Sequence, residues 1–121
     1  MISNQHELLE LAPIKNMVGT KQKSNGVSWG LSEAGYDIRI KQDVIFKPAA
    51  NTVATKWMDN GKQFRVWDYG RFTLASAIEE FDMPDCLVGI VHDKSTWARK
   101  GLSVFNTVIE PGFKGGLTLE L

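Results

Sequence analysis

Residues that force the backbone to turn punctuate this chain and divide it into runs of regular pattern. Pro13, Asp59-Asn60-Gly61, Met83-Pro84-Asp85 and Glu110-Pro111-Gly112 are places where proline fixes φ or where Asn, Asp and Gly accept conformations other residues avoid. Most of what lies between them is patterned for strands. Tyr36, Ile38 and Ile40 alternate with Asp37, Arg39 and Lys41, the period expected of a half-buried strand, and Val44 to Phe46 is expected to extend that sheet or pair with it. The turn at Asp59-Asn60-Gly61 is expected to join two strands carrying Val53, Trp57, Phe64, Val66 and Trp67. Phe72 to Ser76 and Cys86 to Val91 read as two more, linked by the acidic stretch from Glu79 to Asp82. The second, almost wholly apolar, is expected at the centre of the sheet. Leu102 to Ile109 and Gly116 to Leu121 complete the series, with Leu117, Leu119 and Leu121 facing the core. Strands broken by turns roughly every eight to twelve residues imply an all-β barrel or sandwich.

Helix is confined to two places. His6 to Ala12 can be helical until Pro13 interrupts it, and the polar run from Asn16 to Ser28 reads as a connecting loop. The one internal helix is expected over Asp93 to Lys100, with Asp93 as N-cap and Gly101 ending it after two turns at most. The 121 residues therefore form one domain, an arm and loop over 1–28 and a β core over 29–121. A chain of this size buries somewhat over ~60% of its unfolded surface, enough for a core without metal or disulfide staples.

Composition narrows the function classes. Fourteen Lys plus Arg balance fourteen Asp plus Glu, which disfavours a surface for a nucleic acid polymer, although local basic groups can hold a small anion. Cys86 is the one cysteine, so no intrachain disulfide forms and a reducing compartment fits best. Met1 to Asn16 lacks the basic start and apolar run of a signal peptide, and no stretch approaches the ~18 apolar residues of a membrane span. A cytoplasmic protein without membrane contact is expected, in the host cytoplasm if a phage encodes it.

Chemistry-bearing residues concentrate in Asp93-Lys94-Ser95-Thr96-Trp97-Ala98-Arg99-Lys100-Gly101. Hydroxyls and a Lys at the start of a short helix suit a phosphate, and Arg99 falls on the face of Ser95. The same pattern also describes an ordinary solvated, capped helix. Glu120, between Leu119 and Leu121, points away from the core. It is either a solvent-facing strand residue or a general base tuned by burial. A zinc deaminase needs a His or Cys followed two residues later by Glu, then a Pro-Cys-x-x-Cys pair. With only His6, His92 and Cys86, this chain has neither piece, and Cys86 is expected in the core. Trp29, Trp57, Trp67 and Trp97 are expected in core or interface, with base stacking as the alternative. Gly112-Phe113-Lys114-Gly115-Gly116 lacks the ending of a phosphate loop and reads as a hairpin.

Four stretches together resemble the dCTP deaminase branch of the dUTPase-like superfamily. Gly30-Leu31-Ser32-Glu33-Ala34-Gly35-Tyr36-Asp37-Ile38-Arg39 is similar to its first motif. Phe72-Thr73-Leu74-Ala75, with Glu79, Pro84 and Leu87-Val88-Gly89, is similar to the stretch leading into its second. Lys94 through Leu102 resembles its Arg-Ser-Ser-Leu-Ala-Arg-x-Gly-Leu motif, and Thr107 through Leu121 resembles its third. The resemblance implies a distorted dUTPase-like β-barrel assembled as a homotrimer, with nucleotide sites at subunit interfaces. It also implies hydrolytic deamination of dCTP to dUTP and ammonia without zinc, with magnesium entering only through the triphosphate. Glu120 would be the general base, with Ser95 and Arg99 orienting it and the water. Lys94 and Thr96 would contact phosphates, and Asn106, Thr107 and Val108 would read the base edge. No residue would ligate a metal.

The departures are specific. Lys94 stands where the family has Arg, keeping the charge but losing the bidentate fork. Trp97 replaces a smaller apolar residue, Glu110 replaces Asp, and Val108 stands where a smaller residue is common. The sequence ends at Leu121, where the resemblance implies further strands and a segment closing over the triphosphate, so a short form is expected. The nucleotide partner implied is dCTP, with dUTP and dTTP as further candidates, and two alternatives stay open: a dUTPase-like or bifunctional enzyme that cleaves a phosphoanhydride, and a homologue that binds nucleotide or protein without turnover.

Overall fold

The computed structural model describes residues 1–44, 47–49, 52–59, 62–68 and 73–121, with backbone alone for the three segments between 47 and 68. Helix α1 (Gln5–Leu11) is closed at its start by a reciprocal capping box, in which the Asn4 side chain accepts from Glu7 N–H and the Glu7 carboxylate accepts from Asn4 N–H. It ends at Ala12 in the left-handed region, one residue before Pro13.

The stretch expected to be a loop over Asn16 to Ser28 contains a hairpin instead. Strand β1 (Lys21–Ser24) pairs antiparallel with β2 (Val27–Leu31) across Asn25 and Gly26, whose φ values of 50° and 78° are those of a two-residue turn. The Asn-Gly step overrides the polar composition because its positive φ values match the twist of paired strands. Strand β3 (Tyr36–Asp37) adds to β2 through Leu31↔Tyr36 and Gly30↔Asp37. Strands β4 (Lys47–Ala49), β5 (Thr52–Asp59) and β6 (Lys62–Asp68) form a meander in which Asp59 pairs with Lys62, so strands flank the expected turn. Residues 60–61 themselves, like 45–46 of the Val44 to Phe46 segment and Phe72, lie outside the described residues.

Strand β7 (Leu74–Asp82) is the centre of the core, and this corrects two expectations. Its alternation buries Ala75, Ala77, Glu79 and Phe81 and exposes Leu74, Ile78, Glu80 and Asp82. The acidic stretch from Glu79 to Asp82 is therefore strand, not connector. One edge of β7 pairs with β10 (Lys114–Glu120). The other edge is taken by the 13–15 and 39–41 segments: Asp82 N–H donates to Pro13 O at 2.8 Å, Lys15 N–H to Glu80 O at 2.9 Å, and Ile78 N–H to Arg39 O at 2.8 Å. The apolar run from Cys86 to Val91 is peripheral by comparison. Of that run only β8 (Gly89–Ile90) is strand, paired among the described residues with β9 (Val108–Ile109) alone, and Cys86, Val88 and Ile90 are exposed. Its apolar character serves a surface, so Cys86 is not a core residue. Leu102 to Ile109 likewise contributes only β9.

Ile14, Ala75, Ala77, Phe81, Met83, Val91, Ile109 and Leu119 form the buried cluster, with Leu117 and Leu121 packed against it. The leucines of β10 thus face inward as expected. The chain is mostly strand with little helix. Among the described residues, however, the strands form two three-stranded and two two-stranded ladders and do not close into the expected barrel. β8 and β9 are two residues each, too short to bridge the ladders. No helix among the described residues is long and apolar enough to cross a membrane.

Candidate active site

A loop anchored at three points carries most of the expected site. Val91 N–H donates to Thr107 O at 2.9 Å and Phe105 N–H to Glu120 O at 2.9 Å, while Asp93 accepts Val104 N–H at 2.6 Å and the Ser103 hydroxyl at 3.0 Å. Asp93 is therefore not the helix N-cap. Its carboxylate is committed across the base of the loop, and Lys94 occupies the cap position with no side-chain hydrogen bond to the helix. Helix α2 (Ser95–Ala98) is a single turn, shorter than expected, and Gly101 at φ 88° ends it. One turn accumulates little dipole, so the helix itself contributes less to anion binding than its sequence suggests.

Ser95 and Arg99 do share a face, since Arg99 N–H donates to Ser95 O at 3.0 Å. Both side chains are exposed, Thr96 is half-buried, and Trp97 is 40% exposed with Lys100 over its ring at 5.1 Å. Asn106, Thr107 and Val108 are exposed where the loop returns. Glu120 is exposed on the outward face of β10, and its backbone holds Phe105, the neighbour of Asn106. Among the described residues, no hydrogen bond or ion pair joins the Glu120 carboxylate to Ser95 or Arg99. The Phe105–Glu120 bond brings Glu120 and the Asn106 segment together within one chain.

Lys94 reaches in another direction. Its ammonium donates to Asp37 Oδ2 at 2.6 Å and to Ser28 Oγ at 3.0 Å, and the ion pair is about one-quarter exposed on both sides. Neither Asp37 nor Ser28 was an expected site residue. Asp37 lies within the first motif, which was the available signal. A second unanticipated pair lies nearby. The buried Glu79 carboxylate accepts Arg39 N–H at 2.8 Å and Arg39 Nε–H at 2.9 Å, and the Arg39 guanidinium stacks 3.6 Å from the Trp29 ring centroid. Trp29 is thus half-buried under a cation, whereas the side chains of Trp57 and Trp67 lie outside the described residues.

A cavity of about 500 Å³ opens beside Asp37, His92, Asp93 and Lys94 over an apolar floor that includes Phe81 and Ile109. Ser95, Arg99 and Glu120 do not line it, so it is not the expected reaction site. Among the described residues, no group of three or more His, Cys, Asp or Glu side chains could hold a metal ion.

Comparison with known proteins follows the same geography. A family profile described as dCTP deaminase-like matches residues 14–121. The dCTP deaminase of Campylobacter jejuni strain RM1221 is 41% identical over 105 residues, covering 78% of this chain and 55% of that protein. The dCTP deaminase of Campylobacter curvus is 40% identical with the same coverage. That of Anaplasma marginale strain Florida is 32% identical over 126 aligned positions, covering 96% of this chain and 67% of the relative. The chain spans about half the length of the Campylobacter relatives it matches.

Proposed function

The chain belongs to the dCTP deaminase-like family, and on that premise we propose that it acts in the hydrolytic deamination of dCTP to dUTP and ammonia, without zinc. The observation that carries the reading is the position of Glu120. It lies on the outward face of β10 inside the matched region, its carboxylate in no ion pair or side-chain hydrogen bond among the described residues and its carbonyl tied to the loop bearing Lys94 to Arg99.

In this reading Glu120 takes a proton from the water that attacks C4 of cytosine, and the new C–O bond converts that carbon to a tetrahedral centre. Glu120 passes that proton to N3, takes the proton of the new C4 hydroxyl and delivers it to the exocyclic amine; the C–N bond breaks, and ammonia leaves as the carbonyl of uracil forms. Ser95 and Arg99 orient the water and the carboxylate, while Lys94 and Thr96 hold phosphates. Asn106, Thr107 and Val108 read the base edge, with the Thr107 carbonyl already committed to Val91 N–H. Magnesium arrives with the triphosphate as part of the substrate.

The site is assembled in a homotrimer, where a neighbouring chain brings α2 residues against Glu120. Val88, Ile90, Phe105 and Val108, each more than half exposed, support this, because such apolar surface is characteristic of contact faces. Incubation with dCTP and magnesium tests the reading: dUTP and ammonia are expected. Pyrophosphate release would favour the phosphoanhydride-cleaving alternative, and binding without either product would favour a non-catalytic homologue.

A further inference from the structure

Lys94 is the cation proposed to meet the triphosphate, yet in the folded chain it is already bound. Two of the three donors of its ammonium are used, one by Asp37 Oδ2 at 2.6 Å and one by Ser28 Oγ at 3.0 Å. The acceptors are themselves fixed. Ser28 and Asp37 sit on the paired strands β2 and β3, with their side chains 3.4 Å apart. Two residues beyond Asp37, Arg39 is pinned to buried Glu79 through its N–H and Nε–H and stacked on Trp29. The β2–β3 hairpin is thus tied to the central strand, and Asp37 cannot follow a wandering lysine.

A lysine is a point charge on a flexible stem, whereas an arginine carries its donors in a planar fork. A lysine that must present one donor in one direction needs an external group to hold it, and Asp37 with Ser28 is such a group. We propose that Asp37 is a positioning residue for phosphate binding: it and Ser28 hold the Lys94 ammonium so that its third donor is directed at the nucleotide's phosphate. The carboxylate also offsets part of the lysine charge. Pre-organisation outweighs that loss because an unheld Lys94 must be ordered anew at each binding event.

The inference rests on the reading of Lys94 as a phosphate ligand, and the experiment separates the two. Dissociation constants for dCTP are measured by calorimetry for the wild-type protein and for Asp37→Asn, Ser28→Ala, Lys94→Met and the double variant Asp37→Asn/Lys94→Arg, each with its melting temperature. Asp37→Asn is expected to weaken dCTP binding roughly ten- to thirty-fold, the scale of one long side chain's rotamer freedom. Ser28→Ala, which keeps both charges, weakens it by a smaller factor. The double variant recovers most of the affinity, because an arginine supplies its own geometry, and in turnover the Asp37→Asn loss falls on KM rather than kcat. If Lys94→Met weakens binding while Asp37→Asn and Ser28→Ala leave it unchanged or tighter, Asp37 is not a positioning residue. If Lys94→Met binds dCTP as the wild type does, the phosphate role of Lys94 fails, and this inference fails with it.

Discussion

Leu74 and Glu120 stand directly opposite one another on β7 and β10, at a position where the strands exchange no hydrogen bonds. The adjacent pair, Thr73 and Leu121, exchanges both backbone bonds at 2.8 Å, which fixes the alternation. Non-hydrogen-bonded pairs bring side chains closest, with Cα atoms about 4.5 Å apart. Glu120 therefore projects from the outward face beside an exposed leucine, in a strand whose inward leucines hold the core.

Because the Glu120 carboxylate takes part in no ion pair among the described residues, its removal tests chemistry rather than folding. Glu120→Gln is expected to lower ammonia release from dCTP by about 10²- to 10⁴-fold, the range of general-base catalysis. Unfolding free energy stays within about 0.5 kcal/mol of wild type, and dCTP still binds. Unchanged turnover would remove Glu120 from the mechanism.

What the sequence disclosed depended on whether a signal was local. The leucine alternation at 117, 119 and 121, the turn at Glu110 to Gly112 and the termination of α2 at Gly101 were legible because each follows from nearest neighbours. The Asn25-Gly26 hairpin was legible in principle but masked by the polar residues around it. Glu79 misled for a different reason: a carboxylate between apolar positions looks like a surface residue unless its partner, Arg39, forty positions earlier, is known to be waiting. Lys94 was read toward a phosphate from its place beside Ser95, while its actual partners, Ser28 and Asp37, are set by tertiary packing. Glu120 on an outward face was correct, but outward of one chain says nothing of what covers it.

Glu79 replaces a missing strand partner, accepting the Arg39 N–H as well as its side chain at the point where the β7–β10 register shifts. Glu79→Ala leaves both donors without an acceptor and is expected to cost about 3 kcal/mol. That is the low end for breaking a buried pair, because the Arg39 side chain is 35% exposed. Glu79→Gln keeps one carbonyl acceptor and is expected to cost about 1–2 kcal/mol. Urea denaturation measures both, and equal losses would show that the single carbonyl acceptor kept by Glu79→Gln contributes nothing without the charge and the second oxygen.

Gly30 is required by space as well as by φ. Its backbone lies at φ 95°, and a Cβ there would sit 2.9 Å from the Thr20 carbonyl oxygen, a backbone atom that cannot swing aside. Gly26, at φ 78°, has nothing within 4 Å of the same atom. Gly26→Ala should therefore cost about 1 kcal/mol, from conformation alone. Gly30→Ala should cost at least about 2 kcal/mol and loosen the Lys21↔Gly30 end of the hairpin. Denaturation curves that place the two variants together would refute the crowding argument.

The proposed trimer makes a prediction about mass and activity together. Ile90 and Val108 are cross-strand partners on β8 and β9, 59% and 53% exposed, and they extend an apolar surface that water solvates poorly. Light scattering at micromolar concentration should return three times the 13.5 kDa chain mass. Deamination rate per chain should fall on dilution below the assembly's dissociation constant, since in the proposed trimer a neighbour supplies the Ser95 and Arg99 that meet Glu120. A monomer that deaminates dCTP at the undiminished per-chain rate would show that one chain holds a complete site, and would require α2 to fold against its own β10.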